Sequence, residues 1–162
     1  MALAILPGWC TCCGSCLPPK LAKRVKAAGS VYGRLVAYAT VADKQSRTLG
    51  RCLPSYRPWD DWPCCSAPPG FCDFQTPLDI VECVWTEMQS ELAKWHPTGS
   101  AGRARLASLR SEVAKAYESY QRAVESHPAF LESRINRIRW MIEDVKADLG
   151  RMAQDQSPGA AP

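Results

Sequence analysis

Residues 131–152 read LESRINRIRWMIEDVKADLGRM, and their periodicity decides the fold. Leu131, Ile135, Ile138, Ile142, Val145, Leu149 and Met152 recur at alternating spacings of four and three. That rhythm sets them on one stripe of an α-helix that packs lengthwise against a partner. Helical timing extends back from this stretch as far as Thr76. Thr76-Pro77-Leu78-Asp79 is a helix start, with Thr76 as N-cap, Pro77 at the first helical position and an acid facing the positive end of the dipole. The stripe of that helix, over about 77–95, runs Val81, Val84, Trp85, Met88, Leu92 and Trp95. His96-Pro97-Thr98-Gly99 stops it, with His96 placed to meet the negative C-terminal end.

A further helix is expected over about 102–126, with Leu106, Leu109, Val113, Ala116, Tyr120 and Val124 on one side. The last spans about 128–152. Between them Ser126-His127-Pro128 is short for an antiparallel turn and holds no glycine, which favours a kink or sharp elbow. Arg134, Arg137 and Arg139 on the last helix could grip a phosphate or carboxylate, but Glu132, Glu143 and Asp144 nearby favour ordinary surface pairing. Residues 153–162 read as a flexible tail.

Working back from Thr76, the material changes. Residues 1–75 are rich in Cys, Pro and Trp. Pro18-Pro19 opens a short helix over about 19–28, stopped by Gly29 and followed by Ser30 as the next N-cap. Residues 31–44 fit a helix face through Val31, Leu35, Ala39 and Ala42, and a strand face through Leu35, Ala37, Ala39 and Val41. Their alanines favour helix. Prolines at 54, 58, 63, 68 and 69 predict loop from Thr48 to Gln75. Trp59, Trp62, Phe71 and Phe74 in that loop need a helix face or a partner to cover them, and Asp60-Asp61 between the tryptophans reads as turn residues. The expected fold class is therefore mainly α: a helical hairpin or bundle with long amphipathic C-terminal helices, preceded by an irregular Cys/Pro/Trp-rich half that carries short helices.

Nine cysteines are present, eight of them before Asp73. Cys10, Cys12, Cys13 and Cys16 overlap in two C-x-x-C steps, and Cys52, Cys64, Cys65 and Cys72 follow. A C-x-x-C turn can aim two thiolates at one tetrahedral ion, so Cys10, Cys13, Cys16, Cys52, Cys64, Cys65 and Cys72 are the candidate zinc ligands. The adjacency of Cys64 and Cys65 departs from a zinc ribbon, and free thiols and disulfides stay open as alternatives. Cys83 is most simply a helix residue. The opening Met-Ala-Leu-Ala-Ile-Leu-Pro-Gly is too short for a secretory h-region. An intracellular, reducing location is therefore expected, which ranks thiols and metal ahead of disulfides.

Trp9-Cys10-Thr11-Cys12-Cys13 resembles the W-C-x-x-C of the thioredoxin family. That family needs a strand before the motif and a βαβ frame around it, neither of which this sequence offers, so no redox activity is carried over. The Cys52–Cys64 and Cys72–Cys83 spacings resemble twin C-x9-C helical hairpins only loosely.

The net charge of +4 is uneven. Through Gln75, nine Lys/Arg face four Asp/Glu; beyond it, eleven face twelve. The excess gathers at Lys20, Lys23, Arg24, Lys26 and Arg34, a modest patch that reads first as a solvated face and otherwise as a site for phosphates, anionic lipid or an acidic surface. No apolar run is long enough to span a bilayer. A Gly-rich phosphate loop, H-E-x-x-H and G-x-S-x-G are absent from the sequence, so no enzyme is expected. Two functions remain. One is a non-catalytic structural or accessory subunit of a larger assembly, such as a mitochondrial, ribosomal or virion protein, docking through its helices and wrapping a neighbour with the Cys-rich segment. The other is a zinc-dependent nucleic-acid-binding module.

Overall fold

Proline, glycine and serine lay out the first two helices. The computed structural model describes residues 17–53 and 75–156, and α1 spans Pro19–Lys26. Pro18 is extended (ψ 145°) and starts the helix, where a missing N–H costs nothing. Lys23, Arg24 and Lys26 occupy the last turn, at the negative end of the helix dipole. Gly29 then reverses the chain at φ +74°, a conformation that only glycine enters cheaply. The Ser30 hydroxyl accepts a hydrogen bond from the Gly33 N–H at 3.0 Å and caps α2.

Helix α2 spans Val31–Cys52, so the ambiguous stretch after Ser30 is helical. It also runs well past Lys44, into residues that composition assigned to loop. Leu35, Tyr38, Ala39, Ala42, Ser46 and Leu49 keep one face buried to the end, and Asp43 pairs with Arg47 one turn on at 3.1 Å. The first proline beyond it, Pro54, lies outside the described residues.

The remaining helices are α3 (Gln75–Leu92), α4 (Gly99–Ala123) and α5 (Glu132–Asp155), the last preceded by a single 3-10 turn at Ala129–Leu131. Helix α3 starts one residue before Thr76, and α4 begins at Gly99, whose φ is +69°. Pro128 leaves the backbone extended (ψ 146°), and it disfavours helix at His127. Instead of a kink, the chain folds back on itself. Tyr120 Oη donates to the Ile135 carbonyl at 2.8 Å, and the Lys146 ammonium lies 4.3 Å from the Tyr117 ring centre. Helices α4 and α5 are therefore an antiparallel hairpin.

The described residues form a four-helix bundle of α2, α3, α4 and α5 with α1 packed on α2, and they contain no strand. Helix α2 is the hub, packed against α1, α3 and α4, while α5 packs against α3 and α4. Contacts along each interface fix direction. Arg34 at the start of α2 meets Glu91 at the end of α3, so those two are antiparallel. The Arg105 guanidinium near the start of α4 lies 5.7 Å from the Tyr32 ring centre, and Ser119 Oγ donates to Asp43. Helices α2 and α4 therefore run parallel, as do α3 and α5, whose N-terminal halves meet through Glu82 and Arg134.

The core is the stripe read from sequence. Ile135, Ile138, Ile142 and Val145 are fully buried, as are Val81, Val84, Trp85, Met88, Leu109, Ala116 and Tyr120. Each large aliphatic side chain removed from water contributes about 1.5–3 kcal/mol. The α5 seam is thus closed by the chain's own helices and is not left for another molecule.

Candidate functional site

Cys10, Cys13, Cys16, Cys64, Cys65 and Cys72 lie outside the described residues, as do Trp59, Trp62, Phe71, Phe74 and the Asp60-Asp61 pair. Cys52, in the last turn of α2, and Cys83, on α3, are both buried and both disulfide-bonded. A sulfur in a disulfide carries no thiolate to offer a metal. Among the described residues no group of three or more His, Cys, Asp or Glu side chains is placed to hold an ion.

The basic patch is divided by the fold. Lys20, Lys23, Arg24 and Lys26 are exposed on α1, and none forms an ion pair within the described residues. Their apolar neighbours Leu21, Ala22 and Val25 turn inward onto the core. Arg34 belongs elsewhere. It makes a two-pronged contact with Glu91, Nε to Oε1 at 3.2 Å and Nη2 to Oε2 at 3.3 Å, and so fastens α2 to α3.

The arginines of α5 are likewise committed, Arg134 and Arg137 to acids on α3 that same-helix spacing does not reveal. Arg134 bonds Asp79 and Glu82 on α3, the latter at 2.8 Å, and Arg137 bonds Glu82 at 2.7 Å. Arg139 donates to Asn136 at 2.7 Å. Burial works against the Arg134 charge, but the hydrogen bonds and attraction of Asp79 and Glu82 together outweigh it and raise its pKa. This cluster pins the N-terminal halves of α3 and α5 together, a structural task that leaves no open phosphate grip at Arg134.

Two features escaped the sequence reading. Trp140 is 67% exposed on α5, on the outward stripe with Arg137, Asp144 and Ala147. Its signal was available: it falls midway between Ile138 and Ile142, off the seam. Arg103, Arg105 and Arg110 are exposed on α4, within a stretch from Leu92 to Ser111 that holds no acid. An open groove of about 630 Å³ between the ends of α3 and α5 is edged by His96, Asp148, Arg151 and Asp155. His96 is exposed there, just beyond α3, and Asp148 and Arg151 pair with each other.

Among the described residues no helix is long and apolar enough to cross a membrane. The fold defines an α-helical bundle with a cationic helix packed on its hub. No family model, curated protein or solved structure matches the chain.

Proposed function

We propose that the chain is a non-catalytic structural or accessory subunit of a larger macromolecular assembly, docking through the outward face of α5. The observation that carries this reading is Trp140. A large aromatic side chain gains nothing from water, and at subunit interfaces tryptophan is among the residues that most often anchor binding. The seam of α5 is occupied within the bundle, so docking uses the opposite side of that helix. The bonded Cys52 and Cys83 favour an oxidising setting over a reducing one, which suits a mitochondrial intermembrane-space subunit or a virion protein.

The test is native mass analysis of the chain drawn from its own cells. The wild-type chain is expected in a complex of fixed stoichiometry, and Trp140→Glu as the free chain with unchanged helix content. A wild-type chain that is wholly free in those extracts removes the reading.

A second reading, nucleic-acid binding, is favoured by the four exposed cations of α1, none of them ion-paired among the described residues. Its zinc would fall to Cys10, Cys13, Cys16, Cys64, Cys65 and Cys72, since the Cys52 sulfur is bonded. Duplex affinity that falls steeply with salt and is lost on chelation supports the zinc-dependent form.

A further inference from the structure

We infer that α1 and the first half of α4 together form one docking surface for the phosphate backbone of a double-stranded nucleic acid. The inference rests on the nucleic-acid reading above and extends it to residues far away in sequence. The chain holds no Asp or Glu before Asp43, and none between Glu91 and Glu112. In sequence these two acid-free stretches are unrelated. The parallel pairing of α2 with α4 brings the described part of the first, α1 and the start of α2, to the same end of the bundle as the start of α4, because Tyr32 near the start of α2 carries the Arg105 guanidinium over its ring. Helix α1 leads into that same end of α2 through Gly29 and Ser30. One end of the bundle therefore gathers Lys20, Lys23, Arg24 and Lys26 with Arg103, Arg105 and Arg110, all exposed. No ion pair engages any of these seven among the described residues, while Arg34 and Lys94 at the same end share Glu91.

The chemistry of the surface selects its partner. Around the arginines, α4 presents Ala101, Ala104, Ala107 and Ser108 to solvent, so a backbone can approach closely. Among the described residues, no exposed aromatic side chain lies on α1 or between Gly99 and Ser111 to serve as a stacking platform of the kind single strands use. The apolar side of α1, through Leu21 and Val25, is spent on the core, so the helix has no apolar face to bury in a lipid surface. What remains is fixed positive charge for regularly spaced phosphates, which positions a duplex without reading its bases.

The test measures binding of the full-length chain to short duplex DNA and duplex RNA by anisotropy, across about 50–200 mM salt. The variants are K20Q/K23Q/R24Q/K26Q on α1, R103Q/R105Q/R110Q on α4, and Arg122→Gln, near the other end of α4, as control; helix content is checked for each. Each multiple variant is expected to flatten the plot of log affinity against log salt by about three units, and the control to leave it unchanged. Preference for one duplex identifies the natural source of the phosphates. Loss through the α1 set with none through the α4 set overturns the joint surface but keeps the nucleic-acid reading. Absence of binding to either duplex at the lowest salt overturns both, as does binding only to phosphatidylserine vesicles.

Discussion

Tyr120 is fully buried, and its hydroxyl donates to the Ile135 carbonyl. Burial pushes its phenol well above the ordinary value of 10.0. The unfolded chain releases this proton from about pH 10, whereas the folded chain keeps it, so the contribution is whole below that pH and is lost as pH rises. Each pH unit above 10 should cost about 1.4 kcal/mol from this residue. Burial also raises Tyr38 and Tyr117, with Glu87 and Glu91 adding at Tyr38 and Glu143 at Tyr117. Tyr120→Phe should therefore flatten the alkaline fall in urea-measured stability without abolishing it. An unchanged slope would mean that the phenol ionises in place. At this scale the sequence was legible for apolar residues, since spacing alone marked Ile135 to Leu149 as buried. It was not legible for charge partners. Arg134 chose Asp79 and Glu82 on another helix, and spacing sees only neighbours on the same helix.

Two glycines inside helices separate packing from propensity. A Cβ on Gly50 of α2 would stand 3.2 Å from Ala123 Cα on α4, whereas one on Gly150 of α5 would meet nothing within 4 Å. Gly150→Ala should stabilise the bundle by up to about 1 kcal/mol, the usual helix gain. Gly50→Leu should destabilise it by about 1–3 kcal/mol, because two helix backbones must part. Paired urea midpoints check both, and a tolerated leucine at 50 would show that α2 and α4 are not held that close. Helix existence was readable from periodicity, but ends were less so. The Cys52 end of α2 was hidden by the loop-like composition that follows it. The turn at Pro128 was hidden because a proline that kinks a helix and one that ends it look alike in sequence.

At the scale of the molecule, the mainly α class was readable and the topology was not. Which helices become neighbours depends on faces meeting across long separations, and nothing in the spacing pairs α2 with α4. Chemical state was also beyond reach, since cysteine spacing reads alike for thiols, metal ligands and disulfides, whereas Cys52 and Cys83 are bonded. Disulfides shrink the unfolded ensemble, so strong reductant should lower the denaturant midpoint, with about 2–4 kcal/mol of stability lost if one long loop is released. Intact mass before and after reduction provides the parallel reading, as each bridge opened adds its hydrogens. A midpoint and mass indifferent to reductant would mean that the chain in solution carries free thiols.

The parallel pairing of α2 and α4 also governs the order of events during synthesis. The hub helix is complete at Cys52, but the face that receives Arg105, Ser119 and Ala123 waits until the ribosome has made α4. At about 5–20 residues per second that delay lasts several seconds, during which α2 and α3 can associate but cannot close the core. Contacts so distant along the chain slow folding relative to a bundle of consecutive hairpins. Nascent chains arrested before Gly99 would hold the apolar side of α2 open to water, where a chaperone rather than a neighbouring helix would meet it first.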